Sequence, residues 1–69
     1  MNIILGKAVR ANDNIIWNGR KWNVTTATKG LGAGNEFGTY IHGAAISSDG
    51  VLNTFWIYEN CPIVRMKTS

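Results

Sequence analysis

Four residues have side chains that can take part in nucleophilic catalysis: His42, Cys61, Glu36 and Glu59. A thiol nucleophile needs a histidine base within hydrogen-bond reach and a carboxylate that orients the base. The local sequence predicts no such arrangement, because His42 stands within a run of strand-forming residues and Cys61 precedes a proline. The histidine, the cysteine and the four carboxylates also show no metal-ligand spacing. We therefore expect no enzyme, no metal and no cofactor.

The segment Gly30-Leu31-Gly32-Ala33-Gly34 is a second candidate site, since glycine-rich backbone can bind phosphate. Such loops act together with the N-terminus of a following helix. No helical periodicity follows here, so we predict a mobile loop over Thr28–Gly38 that orders on contact with a partner. A minority hypothesis is that subunits of an oligomer enclose a nucleotide near Lys29.

Basic and aromatic residues together favour nucleic acid more seriously. Single strands bind aromatic platforms on a sheet beside a positive groove. The net charge of +3 permits such a partner, but only 16% of residues are charged, so it does not require one. The candidate residues for binding nucleic acid or another anion are Arg20, Lys21, Lys29, Arg65 and Lys67.

The aromatic residues themselves favour a protein partner. We assign Trp17, Trp22 and Phe55 to the core, which leaves an apolar cluster for contact. Trp and Tyr are enriched at interface hot spots, and small domains are often stabilised by self-association. Our first hypothesis is a protein-binding, self-associating chain of the accessory or inhibitor type found in viruses and mobile elements, with single-stranded nucleic acid binding as the alternative. The predicted contact residues are Trp56, Tyr58, Leu52 and Tyr40.

The length of 69 residues predicts a single domain over residues 1–69. One cysteine allows no intrachain disulfide. No apolar run is long enough for a signal peptide or a membrane span, so we expect a cytoplasmic protein without a membrane partner.

The central element is a hairpin over residues 15–24 that turns at Asn18 and Gly19, both of which tolerate the positive φ of a two-residue turn. The turn places Trp17 opposite Arg20, and Ile15 opposite Trp22. One face is then apolar, and Arg20 can stack on the Trp17 ring.

A second turn at Asp49 and Gly50 predicts another hairpin. That turn places Ala44 opposite Phe55 and Gly43 opposite Trp56. The small residues Gly43 and Ala45 would then make room for the Trp56 ring, with Tyr40 on the other face.

Two further strands complete the prediction, one over residues 2–10 with a bend at Gly6 and one over residues 63–67. In the last strand we expect Val64 and Met66 to point inward. Pairing of this strand with the first would bring Arg65 and Lys67 near Lys7 and Arg10. The predicted fold is all-β, a single antiparallel sheet curled into a five- or six-stranded barrel of the SH3-like or OB-like kind.

Overall fold

The fold was examined in a computed structural model, which describes residues 2–47 and 49–66. As predicted, it is all-β and antiparallel, with six strands in one sheet of spatial order β1-β6-β2-β3-β4-β5. Two short 3₁₀ turns, Gly6–Ala8 and Ala33–Asn35, join strands. The strands are β1 Asn2–Leu5, β2 Asn14–Trp17, β3 Arg20–Leu31, β4 Phe37–Ala45, β5 Leu52–Tyr58 and β6 Pro62–Met66.

The sheet is not closed into a barrel by strand pairing among these residues, because β1 and β5 are its two edge strands. Neither 3₁₀ turn in the described ranges is long and apolar enough to span a membrane.

The central hairpin has the predicted turn and register. Asn18 and Gly19 have φ of 54° and 77°, and Trp17 lies opposite Arg20. The aromatic contacts differ from the prediction: the Arg20 guanidinium lies 5.5 Å from the centre of the Trp22 ring. Trp17 instead stacks on Phe55, with ring centres 5.7 Å apart. The guanidinium therefore covers the ring of its own strand rather than the one across the turn.

One face of the sheet, the inner face, carries the hydrophobic core. Thr39 is buried there as well, and its hydroxyl donates a hydrogen bond of 3.0 Å to the Gly6 carbonyl. This bond connects the turn after β1 to β4, on the far side of the core. The buried apolar residues are Val9, Ile15, Trp22, Val24, Ile41, Ala45, Ile57 and Ile63.

The prediction of a long mobile loop over Thr28–Gly38 is wrong in its extent, because the observed connection is shorter. β3 continues to Leu31 and pairs with β4 as far as Phe37, so the connection is only residues 32–36. Gly30 lies opposite Gly38 inside the ladder. Pairing with a partner strand outweighs the entropic cost of ordering glycine here.

The first strand ends earlier than predicted, at Leu5, and the bend comes at Gly6 as expected. A Cβ on Gly6 would lie 2.2 Å from the Tyr58 carbonyl oxygen. Only glycine fits at this close approach, so Gly6 allows the chain that leaves β1 to pass directly beside the end of β5.

The last strand pairs with the first, as predicted, but its alternation is the reverse of the prediction. Ile63 is the buried residue, whereas Val64 and Met66 are half-buried on the opposite face. Arg65 lies opposite Asn2 and Ile15. β6 lies between β1 and β2 and has neighbours on both sides, so the apolar pattern alone does not fix its inner face.

The predicted basic cluster at the termini is not formed as proposed. The Arg65 guanidinium lies 4.0 Å from the Asp13 carboxylate, which also accepts a bond of 2.9 Å from the Arg10 backbone amide. Lys7 lies elsewhere, with its amide bound to the Glu59 carbonyl. Lys67 lies outside the described residues.

Candidate functional site

The second hairpin differs from its predicted register by three residues. Ala44 lies opposite Leu52 instead of Phe55, and Tyr40 lies opposite Trp56. The connection therefore spans residues 46–51 rather than two residues. A register shift by an odd number of residues changes which residues of β5 share a face with a given residue of β4. Tyr40 and Trp56, which the sequence placed on opposite faces, consequently share one.

Hydrogen bonds to one carboxylate hold this longer connection. Asp49 accepts from the Ser47 hydroxyl and from the Val51 amide, the latter at 3.4 Å. Its other oxygen lies 3.0 Å from the Arg20 guanidinium on the central hairpin. These bonds hold the pKa of Asp49 below its usual value, chiefly through the Ser47 hydroxyl and then the Val51 amide. The sequence signal at Asp49 and Gly50 thus marked a turn but not its length.

All four predicted contact residues lie together on the outer face, opposite the core, and we call them the aromatic surface. Leu52 is 78% exposed, Tyr58 51% and Tyr40 37%, while Trp56 is half-buried. The sequence identified the members of this surface. Leu52, Trp56 and Tyr58 share this face by alternation along β5, and the observed register adds Tyr40 to them.

The Trp56 ring is held in place by glycines of β3, of the connection after it, and of β4. A Cβ on Gly32 would lie 2.2 Å from the ring, and one on Gly38 would lie 2.4 Å from it. The indole Nε1 donates a 3.3 Å hydrogen bond to the Gly30 carbonyl, and the Tyr58 ring packs edge-on with centres 4.4 Å apart. Trp56 is therefore a fixed ring seated across the sheet.

The prediction that Gly43 and Ala45 make room for Trp56 is wrong. Gly43 lies near Asn23 and Trp22, and Ala45 belongs to the core. Gly30 and Gly32 of the glycine-rich segment are part of the seat instead. This role had no signal in the local sequence, because the ring comes from a strand 26 residues further along the chain.

The same glycine segment uses its amides within the turn, which is unlike a phosphate-binding loop. The Gly32 amide donates to the Glu36 carbonyl at 2.9 Å, and the Asn35 amide donates to the Gly32 carbonyl at 3.2 Å. Amides used within the turn are not free to bind an anion. Lys29 lies within the ladder opposite Thr39.

Lys67 lies outside the described residues, and the other four basic residues proposed for nucleic acid are not gathered into one patch. Arg20 binds Asp49, and Arg65 lies beside Asp13. Lys21 and Lys29 are both on β3 but eight residues apart, which is roughly 26 Å along an extended strand.

The proposed catalytic residues are not brought together either. His42 Nδ1 lies 3.0 Å from the Thr54 hydroxyl, whereas the Cys61 thiol lies 3.8 Å from the carbonyl of the next residue, in the turn beyond β5. Within the described ranges, no three His, Cys, Asp or Glu side chains are placed to hold a metal ion. Sequence reasoning missed an open depression of about 640 Å³ beside His42, lined by Thr25, His42, Gly43, Leu52, Asn53 and Thr54.

Comparison with known proteins adds no relative. The sequence matches no protein-family model, and neither curated proteins nor solved structures give a significant match. The geometry of the outer face is therefore the basis for any functional assignment.

Proposed function

We propose that this chain is a small non-enzymatic binding domain, of the accessory or inhibitor type, that acts in the cytoplasm. It binds a protein partner through the aromatic surface, and it self-associates. The observation that carries the proposal is a fixed Trp56 ring with the exposed Tyr58 packed against it, on a face that also exposes Leu52.

A fixed aromatic ring favours binding, because little side-chain freedom is lost when a partner covers it. Trp56 is already ordered by its glycine seat and by its hydrogen bond to Gly30. Burial of the apolar surface beside this ring stabilises a complex by about 25 cal/mol for each Å² removed from water. Exposed apolar side chains grouped on one face are typical of interaction sites.

Single-stranded nucleic acid is the alternative, and the charges around the aromatic surface argue against it. The backbones of Glu36 and Glu59 lie at the same end of the sheet as Tyr58. The basic residues are distributed over both faces and along β3. A phosphate chain stacked on Trp56 would therefore lack a positive groove.

A barrel-like curl of the sheet, SH3-like or OB-like, is part of the same proposal. The Gly6 and Lys7 amides donate to the Cys61 and Glu59 carbonyls at 2.8 and 3.0 Å. These bonds join the segment after β1 to the segment after β5, although the two edge strands themselves do not pair.

The test compares two matched substitutions, Tyr58→Asp on the aromatic surface and Leu31→Asp at the tip of the β3–β4 hairpin. The two side chains are 51% and 49% exposed. A partner is identified by cross-linking in an extract of the source cells, purified, and titrated against each variant. Tyr58→Asp should weaken binding at least tenfold, and Leu31→Asp should change it less than twofold. Equal losses would show that the aromatic surface is not the contact.

A titration with a random single-stranded oligonucleotide distinguishes nucleic acid binding from protein binding. Nucleic acid binding would be strong at low salt, would weaken steeply as salt is added, and would be lost on Tyr58→Asp. That result would replace the protein-binding proposal.

A further inference from the structure

β5 is an edge strand whose own sequence has none of the features that usually protect an edge against pairing. Its other edge has no strand partner in the described ranges. Natural edge strands are usually shortened, charged or interrupted by proline. β5 is seven residues long, Leu-Asn-Thr-Phe-Trp-Ile-Tyr, with no charged residue and no proline. The opposite edge strand, β1, has only four residues.

The hydrogen bonds at the two ends of β5 show which backbone groups face the open edge. The Ala45 amide donates to the Val51 carbonyl at 2.8 Å, and the Glu59 amide donates to the Phe37 carbonyl at 3.2 Å. In an antiparallel pair, alternate residues bond to the partner strand and the residues between them point away. The amides and carbonyls of Leu52, Thr54 and Trp56 therefore point away from β4.

The turn after β1 limits how much of this edge is accessible. A Cβ on Gly6 would lie 2.2 Å from the Tyr58 carbonyl and 2.8 Å from the Ile57 side chain. The chain at Gly6 thus covers the last part of β5. The accessible window is residues 52–56, and its central residue is Thr54.

We propose that a second copy of this chain pairs with β5 in antiparallel orientation, about a two-fold axis at Thr54. This inference rests on the self-association in the proposed function and specifies its geometry. Thr54 then lies opposite Thr54 of the second copy, and Leu52 lies opposite Trp56. Each outward-facing residue of both copies donates and accepts once across the axis.

A second copy fits this window, because the window presents the same hydrogen-bonding pattern from either end. Its outward-facing residues are spaced symmetrically about Thr54, so the two-fold operation superposes donors on acceptors. Threonine pairs and aromatic–aliphatic pairs stabilise adjacent strands, and no like charges meet. The side chain of Asn53, which accepts from the Thr54 amide at 2.9 Å, gives way to the second copy's carbonyl.

Disulfide trapping tests the register directly. In a Cys61→Ser background, Thr54→Cys places two thiols in a directly opposed pair, with Cα atoms about 5.5 Å apart, within the disulfide range. The control is Leu52→Cys, whose two copies would be four residues out of register, or roughly 13 Å apart. Under glutathione oxidation we expect Thr54→Cys to form covalent dimer at least tenfold faster. Equal rates, or no dimer with Thr54→Cys, would overturn the proposal.

Light scattering of uncross-linked protein gives a second test. Thr54→Pro removes an outward-facing amide that β4 does not use, and edge positions of this kind tolerate proline. It should be monomeric at concentrations where the unsubstituted chain and Thr54→Val are dimeric. An unchanged mass in Thr54→Pro would overturn the proposal. The pairing proposal would also be overturned if the unsubstituted chain is monomeric at all concentrations. If Tyr58→Asp then still abolishes partner binding, the protein-binding function stands, since Tyr58 lies outside the window.

Discussion

The seat of Trp56 predicts that Gly38→Ala is strongly destabilising. The added Cβ would lie 2.4 Å from both the Ile57 carbonyl oxygen and the Trp56 ring. Ordinary contacts begin at 3.4 Å, so the deficit is 1.0 Å (3.4 − 2.4). The carbonyl belongs to the paired backbone and cannot turn away, so β4 and β5 must separate. We expect Gly38→Ala to lower the free energy of unfolding by about 2–3 kcal/mol.

The magnitude matters because a chain of this length has a free energy of unfolding of only roughly 3–10 kcal/mol. Urea unfolding followed by circular dichroism measures it. With a slope near 1 kcal/mol per molar urea, the midpoint should fall by about 2 M.

Gly30→Ala is the matched control in the same ladder. Its Cβ would lie 3.2 Å from the Tyr40 ring, which is a side chain able to shift by a few tenths of an ångström. Alanine also lowers the entropy of the unfolded chain, which offsets the contact by about 0.5–1 kcal/mol. We expect Gly30→Ala to lie within about 0.5 kcal/mol of the unsubstituted chain. A Gly38→Ala variant that unfolds at the same urea concentration as Gly30→Ala would refute the reasoning.

Two further predictions concern stability. Trp22→Ala should lower the free energy of unfolding by about 3–5 kcal/mol, because its ring is only 3% exposed in the core. Trp56→Ala should lower it by about 2 kcal/mol, since its ring is half-buried on the outer face. Equal losses in urea unfolding would place Trp56 in the core. The lowered pKa of Asp49 means that its ionised form stabilises the fold at pH above the unfolded-state value of about 3.9, and that this contribution is lost as pH falls through the lower folded-state pKa. Asp49→Asn should therefore be less stable than the unsubstituted chain at pH 7 and equal to it once the pH has fallen below the folded-state pKa of Asp49; a difference of the same size at both pH values would contradict this.

The sequence predicted the turn and the register of the central hairpin because their determinants are local. Asn18 and Gly19 supply the positive φ, and the alternating residues on either side supply the two faces. The all-β class follows from the same kind of information, since no segment has a helical period. Membership of the aromatic surface could also be predicted, as Trp56 and Tyr58 exceed what the core requires.

The tertiary structure decided the register of the second hairpin. Its connection includes a contact with Arg20, which reaches Asp49 from a strand 29 residues earlier. Turn propensity at Asp49 and Gly50 favours a shorter connection and carries no information about this ion pair. The resulting odd shift is what places Tyr40 beside Trp56.

The tertiary structure also decided what the glycines do. From the sequence, Gly30, Gly32 and Gly38 predict flexibility, because glycine is entropically costly to order. In the folded chain Gly32 and Gly38 lie against the Trp56 ring, where a Cβ would clash with it, and Gly30 accepts the hydrogen bond of its indole. A requirement for space arises only when distant strands meet, and it leaves no periodic pattern in the sequence. Local conformation was therefore predictable from neighbouring residues, whereas close approach between strands was not.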